Sequence, residues 1–112
     1  MRYAVPVSNG RLSPHFGHCE HFALIDVDEA KKVITGKELT VPPPHEPGVL
    51  PEWLANQGVA VVIAGGIGSR AQGLFEQNRI QVVVGAVTED PESAVLEHVK
   101  GSLAVGDNVC DH

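Results

Sequence analysis

Cysteine is scarce. Cys19 and Cys110 are the only two in 112 residues, too few for the disulfide framework of a small secreted fold, so both read as reduced thiols. No apolar run approaches the roughly 20 residues of a membrane-spanning helix. Residues 1–7 are too short and too strand-like for the apolar stretch of a secretory signal. The expected setting is therefore cytoplasmic, without a membrane partner. Basic side chains are also few: eight Lys and Arg stand against fourteen Asp and Glu, a net charge of −6. That argues against a broad nucleic-acid surface but leaves room for a local basic pocket. Catalytic signatures are missing too. No Ser/His/Asp arrangement is legible, and no general base, nucleophile or metal triad has a spacing that demands catalysis. The chain is expected not to be an enzyme. It shows no internal repeat, and no biased run beyond Pro42-Pro43-Pro44.

What is present suits one globular domain covering residues 1–112. The apolar fraction is 43% and charged residues make up 20%, enough to build a modest core. Residues 3–7, 22–27 and 32–41 read as strands, the third interrupted near Gly36. Ser8-Asn9-Gly10 breaks the first. Short turns between these strands favour antiparallel pairing. The proline segment 42–48 then reads as a crossover. Residues 49–57 read as a helix with Leu50, Trp53 and Leu54 on one face and Gly58 as its stop. Residues 59–64 are apolar on both faces, as a central parallel strand would be. A helix over 69–78, a strand over 80–84 and a helix over 91–99 opening on Pro91 complete the pattern. The order β-β-β-α-β-α-β-α predicts a three-layer α/β domain with a mixed sheet and right-handed crossovers.

Two segments carry chemistry. Ser13-Pro14-His15-Phe16-Gly17-His18-Cys19-Glu20-His21 holds three histidines and a thiol. Imidazole and thiolate suit zinc, copper and iron–sulfur species. The spacing matches no zinc finger and lacks the second cysteine of a CxxC, so a solvated loop held down by Phe16 or Phe22 is the simpler reading. Cys110-Asp111-His112 adds a second Cys/His pair at the C-terminus, where a frayed end is the simpler reading. Each cysteine sits beside histidine, and that pairing lifts both segments. The other segment is Gly65-Gly66-Ile67-Gly68-Ser69-Arg70, which follows a buried strand and opens a helix. Helix-start N–H groups favour an anion there, and Arg70 adds charge. It is not a phosphate loop, since no Gly-Lys-Ser/Thr follows, and Ala71 stands where a dinucleotide fingerprint has its third glycine. A tight turn that merely needs glycine is the alternative.

With these residues in view, the chain resembles the dinitrogenase iron–molybdenum cofactor biosynthesis family, which includes the NifX-type and NafY-type carriers. The resemblance rests on Ser13-Pro14-His15-Phe16-Gly17 before a Phe-bearing strand and on Ala64-Gly65-Gly66-Ile67-Gly68-Ser69-Arg70-Ala71. Residues 78–86, Asn-Arg-Ile-Gln-Val-Val-Val-Gly-Ala, add to it. It implies a ribonuclease H-like fold with a mixed five-stranded sheet, order 3-2-1-4-5. It implies a non-enzymatic carrier of an iron–sulfur or iron–molybdenum–sulfur cluster or precursor, passed on to cluster-assembly or recipient proteins. A related orange protein holds a molybdenum–copper–sulfide cluster. The implied site uses His15, Gly65, Gly66, Gly68, Ser69 and Arg70 to bind the cluster. Its metal ligands would come from His15, His18, Cys19, His21, Cys110 and His112, the last two as a clasp. Two other readings stay open: a phosphate-binding or small-molecule regulatory module on the 65–70 turn, and a mononuclear zinc or copper protein. A nuclease is disfavoured, because residues 3–7 and 59–64 carry no carboxylate.

Overall fold

The computed structural model describes residues 1–13, 20–43, 49–85 and 88–101. The elements run β1 (Arg2–Ser8), β2 (Arg11–Leu12), β3 (His21–Asp28), β4 (Val33–Thr40), α1 (Val49–Asn56), β5 (Val59–Ile63), α2 (Ser69–Gln77), β6 (Gln81–Val83) and α3 (Pro91–Val99). β4, β3, β1, β5 and β6 lie side by side in that order, and β2 pairs with β1 off this path. β1 is antiparallel to β3 and parallel to β5, and β5 is parallel to β6. The sheet is mixed, as the sequence suggested.

It has six strands, not five. The extra one is β2, and its cause is local. Asn9 and Gly10 take positive φ, 55° and 77°, the backbone of a two-residue hairpin turn. The chain therefore doubles back where a plain break was expected, pairing Val7 with Leu12 and Ser8 with Arg11.

Strand alternation sends β1 side chains to two cores. Ala4 joins Phe22, Leu24, Leu54, Val62, Ile67 and Phe75 under α1 and α2. Tyr3, Val5 and Val7 join Ala23, Ile25, Ile63, Ala94 and Val95 under α3. The helices have only eight or nine residues, too short to persist alone in water. Burying one large apolar side chain is worth about 2 kcal/mol, so the sheet contact holds them.

Pro6 shapes the sheet. Its carbonyl accepts from Ser13 N–H at 2.8 Å, while Val7 O on the other side accepts from Glu20 N–H. Alternation therefore turns the Pro6 nitrogen toward the β5 side of β1. That nitrogen has no hydrogen to donate. The parallel register with β5 ends at Ala4 opposite Val62, two residues earlier. Beyond that point β5 pairs with β6 as far as Ile63 and Val83, while β1 takes β2. The two central strands fork.

Two outcomes follow. Gly10→Val forces a β-branched residue into left-handed backbone. It should cost about 1–2 kcal/mol in denaturant unfolding and speed hydrogen exchange at the Ser13 amide. Burial, and then Glu29 by charge and hydrogen bond, hold the Tyr3 phenol above its ordinary value of 10.0. The neutral phenol is the favoured form in the fold, so this stabilisation is present below the unfolded pKa near 10 and is lost as pH rises beyond it. Tyr3 is the only tyrosine, so tyrosinate absorbance in an alkaline titration should lag behind free tyrosine until the fold melts.

Candidate functional site

The C-terminal ends of β1, β5 and β6 lie along one edge of the sheet, because the three strands run in parallel. The chain leaves β1 through β2, on the side β5 occupies earlier, before it reaches β3 on the other side, while β5 leads through α2 to β6. β1 and β5 therefore part at this edge, and the C-terminal ends of parallel strands are the usual place for a ligand crevice in such sheets.

The first segment at this edge belongs to β1. Ser13 is bonded to Pro6 O, and Glu20 to Val7 O at 3.0 Å. Both residues therefore lie at the end of β1. The Glu20 carboxylate also accepts from Asn9 N–H at 2.7 Å, fastening it to the hairpin turn. Ser13 is 3% exposed, the only buried polar side chain among the described residues. His21 is half-buried at the start of β3, opposite Val7.

The second segment is the turn from β5 to α2. Ala64 N–H donates to Val83 O at 2.9 Å, and Gly85 N–H donates to Gly65 O at 3.1 Å, tying the turn to β6. Gly65 and Gly66 are buried. None of Gly65, Gly66 and Gly68 takes positive φ, so the turn does not need glycine for left-handed backbone. Gly68 is the N-cap, with φ −64° and ψ 152°, and offers no capping side chain to the first helical N–H groups. Ser69 and Arg70 are exposed. Arg70 has no hydrogen-bond or ion-pair partner among the described residues.

The third segment leads from β6 to α3. Leu12 N–H donates to Glu89 O at 2.6 Å, drawing the α3 entrance against β2. Ser8, Asn9, Arg11, Leu12 and Glu89 line an open groove of about 540 Å³. Arg11 spends its charge on Glu89 at 3.3 Å, both side chains well exposed, a pair worth at most about 1 kcal/mol. Among the described residues, Arg70 is thus the unpaired cation of this edge.

Of the residues expected from sequence, His21, Gly65, Gly66, Gly68, Ser69 and Arg70 fall on this one edge. His15, His18, Cys19, Cys110 and His112 lie outside the described residues. Among the described residues no group of three or more His, Cys, Asp and Glu is placed to hold a metal ion. α3 ends at the opposite edge, where the His98 and Tyr3 rings meet edge-on at 5.9 Å. Sequence reasoning missed the roles of Pro6, of the Asn9-Gly10 hairpin and of Glu20. A proline inside a strand and an Asn-Gly pair were the available signals.

The family model for the dinitrogenase iron-molybdenum cofactor matches residues 1–101. The chain belongs to this family. Membership ties it to the handling of iron–molybdenum cofactor. The chain is 35% identical over 101 residues to the uncharacterised protein MJ0580 of Methanocaldococcus jannaschii, covering 86% of this chain and 84% of that one. Its fold is similar to the crystal structure of PH0822, with a TM-score of 0.84, 27% identity and coverage of 95% and 96% of the two chains. It is also similar to the apo form of the orange protein from Desulfovibrio gigas, with a TM-score of 0.75, 22% identity and coverage of 96% and 94%. At that identity the likeness speaks to fold alone. Among the described residues no helix is long and apolar enough to cross a membrane.

An exposed, unpartnered Arg70 contributes little to folding. Arg70→Ala should shift unfolding stability by no more than about 0.5 kcal/mol, as read by chemical denaturation. A larger loss would give Arg70 a structural task.

Proposed function

We propose that this protein binds and carries an iron–sulfur or iron–molybdenum–sulfur cluster, or a precursor, as cargo and without catalysing a reaction on it. Family membership across residues 1–101 carries this reading. The fork is the place proposed for the cargo. A ribonuclease H-like fold and a cytoplasmic compartment belong to this proposal, the fold supported by the mixed α/β sheet with helices over both faces.

The cluster is treated as a sulfide-rich anion. It would sit at the C-terminal edge, facing Gly65, Gly66, Gly68, Ser69 and Arg70. Helix-start N–H groups and one unpaired guanidinium favour negative charge there, even on a chain of net charge −6. Direct ligands would come from His15, His18, Cys19 and His21, since soft thiolate and imidazole suit such metals. Cys110 and His112 are proposed as a clasp from the other end of the chain. Cys110 stands nine residues beyond Gly101, a stretch that reaches at most about 32 Å. The longest principal extent of the molecule is 36 Å, so the reach is of the right order. Recipient or assembly proteins are the proposed partners.

Anaerobic reconstitution with iron, sulfide and molybdate tests the reading. Stoichiometric metal with visible absorption is expected, and Cys19→Ala should lower both. A colourless, metal-free product contradicts it. Zinc or copper bound without sulfide would indicate a mononuclear site instead. Phosphate binding abolished by Arg70→Ala and indifferent to Cys19→Ala would indicate an anion-sensing module.

A further inference from the structure

We infer that Gln72 is a positioning residue that decides which pole of the backbone the 65–70 turn shows to its cargo. This rests on the carrier reading and deepens it, by naming what makes the seat selective for an anion.

Gln72 is half-buried in the first turn of α2. Its backbone N–H donates to Gly68 O at 3.1 Å. Its side-chain Nε2 donates to Ile67 O at 3.0 Å. Gly85 N–H holds Gly65 O. The carbonyls of Gly65, Ile67 and Gly68 are therefore all engaged by donors within the fold. The Arg70 and Ala71 N–H groups have no acceptor among the described residues. A peptide carbonyl is the negative pole of its dipole, and a free one beside an anion repels it. With these three carbonyls turned to internal donors, the turn offers the anion N–H groups and a guanidinium. Ile67 is 1% exposed, so its buried side chain fixes the peptide from below while Gln72 fixes it from the side.

Among these three donors only the Gln72 amide is a side-chain group, so it alone can be removed by substitution without touching the backbone. Gln72→Leu keeps bulk and helix propensity but removes the donor. Gln72→Glu keeps shape, replaces the donor with an acceptor and adds negative charge facing Ile67 O. Both side chains suit a half-buried helix position, so the fold should persist in each.

The experiment uses the full chain, as wild type and both variants, loaded anaerobically with iron, sulfide and molybdate. Chelator competition gives cargo affinity, visible circular dichroism reports the geometry around the cluster, and thermal unfolding of the unloaded chains reports stability. Gln72→Leu should lose about five- to tenfold in affinity and change the dichroism, with an unloaded melting point close to wild type. Gln72→Glu should lose more, and its excess loss should shrink at high salt. Wild-type affinity and dichroism in both variants overturns the role of Gln72 and leaves the carrier reading standing. Lost affinity that tracks lost melting point with unchanged dichroism overturns it too, because that is the mark of a structural residue. A wild-type chain that takes up no metal overturns the carrier reading and this inference together.

Discussion

The absent N–H of Pro6 is the constraint on which the arrangement of this molecule turns. On the β5 side of β1 the donors come every second residue, and the one due after Ala4 does not exist. Had it existed, β1 and β5 could run together to the sheet edge and leave no opening between them. Instead β1 exchanges β5 for β2 and Ser13, while β5 continues beside β6. The fork sits where β1 passes to β2 and β5 leads on through α2 to β6. Backbone chemistry and topology thus open the sheet at the same place.

Around that fork the strands anchor the rest of the fold. Both cores lie against the strands: one under α1 and α2, the other under α3. Ser13, Glu20, Ala64 and Gly85 are tied at this edge by backbone bonds. Charge is sorted as well. Arg2 is committed to Asp26 and Gln57 O at the opposite edge. Lys37 is committed to Glu92, and Arg11 to Glu89. Arg70 remains without a partner among the described residues. An acidic chain can therefore still present a positive spot at this edge, and it presents it beside the helix start that would reinforce it.

Much of the fold was legible because its signals are local. The two-sided apolar run over β5, the proline opening α3 and the short apolar runs of β1 and β3 bounded by polar turns each name an element directly. Boundaries moved by a residue or two, as frayed ends do. The missed strand shows what pattern reading overlooks. Arg11 and Leu12 are too few to show a period, and only the Asn9-Gly10 turn announces them. Pro6 was read as one letter of a strand, because its meaning depends on which neighbour lies on its nitrogen side. The 65–70 turn was legible as an anion-facing helix start. That its glycines avoid left-handed backbone was not, since glycine permits either sign of φ. Gln72 was invisible, because a side chain reaching back five residues to a carbonyl leaves no mark in composition or spacing.

The central claim is that the cargo sits at the fork and not elsewhere on the molecule. Paramagnetic NMR on uniformly labelled protein, taken before and after anaerobic loading with iron, sulfide and molybdate, tests it most directly. The account predicts that amide signals of His21, Gly65 through Ala71 and Gly85 shift or broaden away, while those of Tyr3, Asp28, His98 and Lys100 at the opposite edge stay in place. Perturbation centred on Tyr3 and His98, or loading that leaves the Gly65 to Ala71 signals unchanged, would contradict it.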